Sequence, residues 1–295
     1  MYVNCYYYAP HNHSLLIDYL RTDLDRMISM GCDAVSVCVQ EEQMTNWHQA
    51  RLHNVVNEAH LRGLHVHAVP NRWAGILAGW LDGHAEWTLE HTELLAPGRE
   101  HQGMADVRHP QVRDHYAHYI RMLLEEFEFD GIIWDEPRPA QPEVIMFLDE
   151  MSKFAKSITP QVTISCFAEA GNLHLAESLA ATAHMDYLGA DGHIRGDDHQ
   201  MHRMKNTIFT THQHFHPILT SANKKTMYLP EAQRHRDEDY DEYMRCLESA
   251  FSLPMDQLLF YYSAHELSPN REAGFNHATW NMVRQLKGKP PASAR

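Results

Sequence analysis

Residues 129–137 read "FDGIIWDEP", in which strand-forming apolar residues are followed at once by two adjacent acids. The run Ile132-Ile133-Trp134 is uninterrupted, which is typical of a strand with both faces buried. A carboxylate at the end of such a strand costs desolvation free energy unless a partner offsets it. Asp135 and Glu136 therefore form either a structural ion-pair site or a site of chemistry.

Similar strand-like runs recur along the whole chain. They lie at residues 2–8, 34–40, 64–70, 162–169, 185–191, 226–231 and 258–266. Between the runs, apolar residues recur at helical spacing. The clearest of these stripes lie at residues 52–59, 116–127, 144–158 and 240–251. Alternating buried strands and helices predict an α/β fold, a single-domain (β/α)8 TIM barrel. A doubly wound open sheet is the rival, but no G-x-G-x-x-G motif follows the first strand.

No Ser/Gly-rich linker divides the chain. The barrel is predicted to span residues 1–285, and residues 286–295 are expected to be a loose C-terminal tail. The connection after the third strand, about residues 71–109, is long for a βα link. A connection of that length is expected to form a lid or wall over the site.

The composition excludes several kinds of partner. A net charge of −14 over 295 residues argues against nucleic acid and against an anionic membrane surface. No run approaches the roughly 18 apolar residues of a membrane span, and no signal-peptide pattern is visible. The 5 cysteines are scattered and are expected to be reduced. Together these features predict a cytoplasmic protein.

The predicted strand ends are rich in polar and aromatic residues. In a (β/α)8 barrel the reacting groups lie at these ends. Carboxylates accept hydrogen bonds from sugar hydroxyls and aromatic rings cover apolar sugar faces, so the set predicts a site for a polyhydroxylated ligand. The residues expected to contact substrate are Asn71, Arg72, Trp73, Trp134, Glu169, His193, His265 and Glu266. The catalytic candidates are Asp135, Glu136, Asp191 and Glu231.

The opening stretch resembles the fourth-strand signature of several TIM-barrel glycoside hydrolase groups. In these proteins Asp-Gly and alternating apolar residues precede a catalytic acid five positions after the first Asp, which here gives Asp130-Gly131 and then Asp135. Residues 106–137 as a whole, and "DLDRMISMGCDAVSV" at 23–37, are similar to uncharacterised glycoside-hydrolase-like barrels. The resemblance implies cleavage of a glycosidic bond by paired carboxylates, without a cofactor, in a small saccharide or glycoside.

Strand alternation bears on which acid faces the substrate. Ile133 and Asp135 share one face, whereas Trp134 and Glu136 share the other. The resemblance places the Asp135 face inside the barrel and makes Asp135 the nucleophile or charge stabiliser.

Other pairings stay open for the acid/base role. Glu136 would be the acid and Glu231 the nucleophile by analogy with an Asn-Glu-Pro pattern, from which this sequence departs by having Asp135 in place of Asn. A third arrangement pairs Asp135 with Asp191. The separation of the two carboxyl groups decides between retention and inversion of configuration.

Other interpretations compete with glycoside hydrolysis. Asp135 and Glu136 could form structural ion pairs with Arg138 or Arg72. H-x-H motifs at 11–13 and 65–67 have metal-site spacing, which keeps open a metal-dependent barrel hydrolase, or a sugar isomerase or lyase using strand-end His and Glu. We expect no metal, because His193 and His265 do not complete a ligand set.

A non-catalytic carbohydrate-binding barrel would have the same polar and aromatic residues at its strand ends. The motif "THQHFH" at 211–216 is expected to be a solvated helix end. The outer helix stripes would also suit a subunit interface, so a homo-oligomer stays open.

Overall fold

A computed structural model describes residues 1–7, 16–45, 49–78, 86–194, 208–231, 240–262 and 269–291. Eight parallel strands follow one another in chain order and close into a barrel. They are β1 (Tyr2–Tyr6), β2 (Ala34–Val39), β3 (His65–Pro70), β4 (Gly131–Asp135), β5 (Thr163–Ala168), β6 (Tyr187–His193), β7 (Lys225–Glu231) and β8 (Gln257–Tyr261). The predicted barrel is confirmed, and an open sheet is excluded because β8 pairs with β1.

Ten α-helices lie within the described residues and surround the strands. They are α1 (Ile17–Met30), α2 (Glu41–Thr45), α3 (Gln49–His60), α4 (Glu86–Glu90), α5 (Pro110–Arg121), α6 (Pro142–Ile158), α7 (Leu175–Ala180), α8 (Ile208–Ser221), α9 (Tyr240–Phe251) and α10 (Pro269–Leu286). Proline is the first residue of α5 and of α6, a position where the backbone N–H makes no intrahelical hydrogen bond, so its absence costs nothing. A π-helical turn over Met122–Glu126 continues α5.

The larger apolar core packs between the strands and the helices, and a second cluster fills the barrel itself. We call this second cluster the interior apolar layer. Its buried members are Tyr6, Val69, Ile133, Phe167, Met227, Leu229 and Leu259. Because Ile133 belongs to it, the inward face of β4 is the one that alternation assigned to Asp135.

A hydrogen-bonded polar floor of Asn4, Ser36 and His67 lies nearer the amino ends of the strands. Ser36 Oγ donates to Asn4 Oδ1 at 2.7 Å, and Asn4 Nδ2 lies 3.2 Å from His67 Nδ1. Burial lowers the pKa of His67 to about 4, so its ring is neutral at physiological pH. Its motif partner His65 has Nδ1 3.0 Å from the Tyr2 hydroxyl. Both histidines of the 65–67 motif thus have structural hydrogen bonds.

The Asp-Gly pair of the opening stretch is explained by local packing. Oδ2 of Asp130 accepts the backbone N–H of Val66 at 2.8 Å and lies 2.8 Å from Nε2 of His60. At Gly131, a Cβ atom would lie 2.8 Å from the ring of His67. The glycine is therefore needed to leave room for the polar floor.

The described part of the long connection after β3 forms a wall. The backbone N–H of Ala105 donates to the carbonyl oxygen of Ala74 at 2.9 Å, and Leu95 forms a bridge with Ala105. A Cβ atom at Gly75 would clash with the carbonyl oxygen of Gly103. Residues 74–75 are therefore packed closely against residues 103–105.

One smaller expectation needs correction. His212 lies within α8 and is buried, with Nε2 3.0 Å from the carbonyl oxygen of Pro254, so the solvated helix end predicted at 211–216 is wrong for this residue. Near the predicted tail, Lys287 Nζ lies 2.8 Å from Asp33 Oδ2, and Lys289 Nζ donates to Ile28 O at 3.0 Å. Residues 287–289 are therefore held against the barrel, and the domain limit at 285 stays a prediction.

No helix in the described ranges has the length and hydropathy that a membrane crossing requires.

Candidate active site

Four acids meet at the carboxyl ends of β4, β6 and β7, and we call them the carboxyl cluster: Asp135, Glu136, Asp191 and Glu231. Their proximity is visible in their electrostatics, because the charges of the other three all raise the pKa of Asp191. The barrel thus brings together the four acids that the sequence analysis selected.

Asp135 is the last residue of β4 and points into the barrel above Ile133. Its Oδ2 accepts a hydrogen bond from the Tyr6 hydroxyl at 3.1 Å. Burial, and then the charge of Glu136, raise the pKa of Asp135 to about 8, although the Tyr6 hydrogen bond and Arg138 oppose the shift. The Asp135 carboxyl is therefore mostly protonated at neutral pH.

Glu136 does not lie on the outer face that alternation predicted. Its φ of 40° is in the left-handed region, so the extended backbone ends here and the side chain turns back towards the mouth. There its carboxylate accepts a hydrogen bond from Nη2 of Arg138 at 2.7 Å and shares another with Asp191. The predicted face was wrong because alternation holds only for extended backbone.

Asp191, on β6, is the most enclosed of the four acids, with 4% of its surface exposed. Its Oδ1 accepts the backbone N–H of Ala170 at 2.8 Å. Burial, followed by the charges of Glu136 and Glu231, raises its pKa well above the ordinary range. This environment favours the protonated form of the Asp191 carboxyl, which can donate in the hydrogen bond with Glu136.

Glu231 ends β7 beside His193, its register partner on β6. His193 Nε2 lies 3.0 Å from Glu231 Oε2, and the two side chains are 20% and 16% exposed. Glu136, also 16% exposed, is fixed by Arg138 in the same way. Two partly accessible glutamates, each fixed by a basic partner, thus lie at the ends of β4 and β7.

Two tyrosines that are not among the predicted site residues adjoin the carboxyl cluster. Tyr6 and Tyr261 are stacked, with ring centroids 5.2 Å apart and planes inclined by 15°. Burial and the nearby acids raise the pKa of both phenols well above the ordinary range, so both stay protonated. The alternation Tyr2, Asn4, Tyr6 along β1 could have identified Tyr6 as an inward residue.

The predicted tryptophan contacts with substrate are wrong. Trp73 and Trp134 are both 0% exposed. Trp134 Nε1 donates to Ser152 Oγ on α6 at 2.9 Å, and Trp73 Nε1 donates to the carbonyl oxygen of Val39 at 3.0 Å. Both rings pack outside the strands, so neither lines the mouth.

Other predicted contacts lie at varied depths. Asn71 shares the inward face of β3 with His67 and Val69; it is 5% exposed, and its Oδ1 has no hydrogen-bond partner among the described residues. Arg72 Nη2 donates to the carbonyl oxygen of Gln102 at 3.1 Å, which holds it against the wall.

Glu169 is exposed at the rim, where its Oε2 accepts a hydrogen bond from Asn172 Nδ2 at 3.1 Å. His265, Glu266 and the H-x-H motif at 11–13 lie outside the described residues. In the part of the chain that the structure describes, no three His, Cys, Asp or Glu side chains form a group able to hold a metal ion.

The chain is similar in structure to TIM-barrel glycoside hydrolases. Exo-β-1,4-mannosidase Op5Man5 from Opitutaceae bacterium strain TAV5 aligns over 98% of this chain at 15% identity and a TM-score of 0.61; the chain spans 59% of that protein's length. A GH5_18 protein from Streptomyces cattleya, solved in complex with GlcNAc, aligns over 99% of this chain and 82% of its own, at 16% identity and a TM-score of 0.62.

The endo-β-1,4-mannanase from Thermotoga petrophila aligns over 97% of this chain and 76% of its own, at 11% identity and a TM-score of 0.62. No family model matches the sequence, and no curated protein matches it. At these identities the comparisons establish the shared fold.

Proposed function

We propose that the chain hydrolyses glycosidic bonds with Glu136 and Glu231 as its catalytic pair. The observation that carries this proposal is the contrast within the carboxyl cluster. Glu136 and Glu231 are each partly accessible and each fixed by a basic partner, at 2.7 and 3.0 Å. Burial raises the pKa of Asp135 to about 8 and also raises that of Asp191, so it favours the protonated form of both. Glycosidic cleavage requires one proton donor and one ionised carboxylate.

Glu231 serves as the ionised member of the pair. A hydrogen bond donated to a carboxylate favours its charged form, and His193 Nε2 is placed to donate one. The carboxylate would attack the sugar carbon or activate a water molecule. The sequence alternative with Glu231 as nucleophile is thereby preferred.

Glu136 passes to the leaving oxygen a proton that it takes from the Asp191 carboxyl through their shared hydrogen bond. It shares a hydrogen bond with Asp191, whose protonated form burial favours, and it adjoins Asp135, whose pKa burial raises to about 8. An acid/base pair needs neighbouring acids whose environments give them different pKa values. Of these three acids, Glu136 is the one whose left-handed backbone turns the side chain towards the mouth.

Asp135 receives a different role from the one expected. A nucleophile must be ionised, whereas a carboxyl with a pKa of about 8 is mostly protonated at neutral pH. We assign to Asp135 the roles of holding a proton beside Glu136 and of binding the substrate. The ring of Tyr261, which is partly exposed and stacks on the buried Tyr6, offers an apolar face to a sugar ring.

A panel of aryl glycosides tests the proposal, beginning with β-mannosides, β-glucosides and N-acetyl-β-glucosaminides because the structural neighbours carry mannosidase and mannanase names or bind GlcNAc. Wild-type turnover is expected on at least one glycoside class. Glu231→Ala should lose that turnover and regain part of it with azide, which replaces the missing carboxylate at the sugar carbon. Turnover that survives in both Glu136→Gln and Glu231→Ala would refute the assignment.

A further inference from the structure

We propose that Glu41 and His115, which lie outside the barrel, position the catalytic end of β4 through the backbone of residues 71–78. The inference rests on the proposed function for the identity of what is positioned. Glu41 is the first residue of α2, and His115 lies on α5. In this assignment both are positioning residues that do not contact substrate.

The two side chains form a buried pair. His115 Nε2 lies 2.7 Å from Glu41 Oε1, and the two side chains are only 7% and 5% exposed. The ring of Trp87 stacks on His115 with centroids 4.0 Å apart and planes inclined by 22°. The imidazole is therefore fixed from its face and from its edge, and it holds one oxygen of Glu41 in place.

The same oxygen of Glu41 holds the backbone of the wall. The N–H of Ala74 donates to Glu41 Oε1 at 2.8 Å. Ala74 has a φ of 47°, and Arg72 and Gly75 have φ values of 58° and 71°, so this turn is largely left-handed. Left-handed conformations of non-glycine residues persist only where surrounding contacts over-determine them. The Glu41 carboxylate is one such contact.

The backbone of residues 71–78 is hydrogen-bonded to the chain on both sides of Glu136. The N–H of Ala78 donates to the carbonyl oxygen of Asp135 at 3.0 Å, and the N–H of Arg138 donates to the carbonyl oxygen of Ile76. Glu136, itself left-handed, lies between these two attachment points. A shift of residues 71–78 would therefore move the carboxylate of Glu136 and the guanidinium that fixes it.

Stability alone is a poor explanation of this pair. Glu41 Oε2 is buried and has no hydrogen-bond partner among the described residues. A buried carboxylate with one unpaired oxygen carries a desolvation cost that an apolar side chain would avoid. An acceptor that takes both the His115 and the Ala74 N–H groups fixes the turn in a way that an apolar residue cannot.

Three variants separate positioning from packing. Glu41→Ala removes both hydrogen bonds, Glu41→Gln keeps an oxygen acceptor and removes the charge, and His115→Phe keeps a ring for Trp87 to stack on. Glu58→Ala is the matched control, because Glu58 is a buried acid on α3 whose ion pairs are with Arg21 and Arg62. The readouts are kcat and KM on an aryl glycoside, the pKa of Asp135 from its carboxyl 13C shift, and Tm.

Glu41→Ala should lower kcat by roughly 10- to 100-fold with a smaller change in KM, since small misplacements of a reacting group are costly. It should also move the Asp135 pKa away from about 8. Glu41→Gln should retain most of the wild-type kcat, and Glu58→Ala should lower only Tm. If Glu41→Ala does not fold, His115→Phe is judged by the same measurements.

The inference is overturned if Glu41→Ala and His115→Phe lose Tm as Glu58→Ala does but keep the wild-type kcat and Asp135 pKa. If the wild type hydrolyses no glycoside yet the Asp135 pKa moves in Glu41→Ala, the positioning role stands and the proposed function fails.

Discussion

The hydroxyl of Tyr6 donates a hydrogen bond to Oδ2 of Asp135 at 3.1 Å, and so links β1 to β4 across the barrel mouth. This bond stabilises the ionised form of Asp135, whereas burial and the Glu136 charge disfavour that form. Arg138 also favours the ionised form, so the protonation of Asp135 is set by four opposing contributions.

Tyr6→Phe should raise the pKa of Asp135 further above its present value of about 8, because the variant removes a donor to the carboxylate. The phenyl ring can still stack on Tyr261. The carboxyl 13C shift of Asp135, followed against pH in both proteins, measures the change. An unchanged or lower pKa in the variant would show that the hydroxyl does not stabilise the carboxylate.

The stability of the protein should depend on pH through Asp135. Its folded pKa of about 8 exceeds the unfolded value of about 3.9, so the folded state binds more protons between these values. The contribution of Asp135 to stability is present below about pH 4 and is lost as pH rises to about 8. Asp135→Asn should therefore show a flatter free energy of unfolding over this window, measured by urea denaturation. Parallel curves for the two proteins would contradict the shifted pKa.

Loss of either catalytic glutamate should abolish most of the activity. Glu136→Gln and Glu231→Gln preserve shape, and each should lower kcat by roughly 10²- to 10⁴-fold, the usual contribution of a positioned acid or base. Glu150→Gln, at an exposed ion pair of α6 with Arg113, is the control and should keep wild-type kcat. A comparable loss in the control would point to unfolding and not to chemistry, and circular dichroism of each variant checks this.

Gly131→Ala should destabilise the barrel, because its Cβ would meet the His67 ring at 2.8 Å. Overpacking of this kind typically costs about 1–3 kcal/mol. Thermal unfolding should show a lower Tm, and His67→Ala should cost less in the Gly131→Ala background than alone. Additive effects of the two substitutions would mean that the ring and the glycine are not coupled.

The fold could be predicted from the sequence because every strand of the barrel is a separate, locally visible apolar run. The strand at 131–135 and its helical neighbours needed no long-range information, and closure followed from the number of units. The carboxyl cluster was also predictable, since parallel strands bring their carboxyl ends to one mouth. Asp135 and Glu231 end β4 and β7, and Asp191 lies two residues before the end of β6.

The errors have physical causes that the sequence conceals. Glu136 left the outer face because its φ of 40° ends the alternation, and nothing in the residue type signals this conformation. Trp134 follows the alternation and points outwards, where Ser152 accepts its N–H. Its place at a strand end therefore did not imply a place at the mouth. The protonation of Asp135 depends on burial and neighbours that only three-dimensional packing defines.

The interior apolar layer has a consequence for how the two polar regions of the barrel behave. It separates the floor, where His67 is neutral, from the carboxyl cluster above. The packed apolar side chains contain no continuous chain of donors and acceptors along which a proton could cross the layer. The acids should therefore exchange protons with solvent through the open end of the barrel, and the floor and the carboxyl cluster should titrate independently.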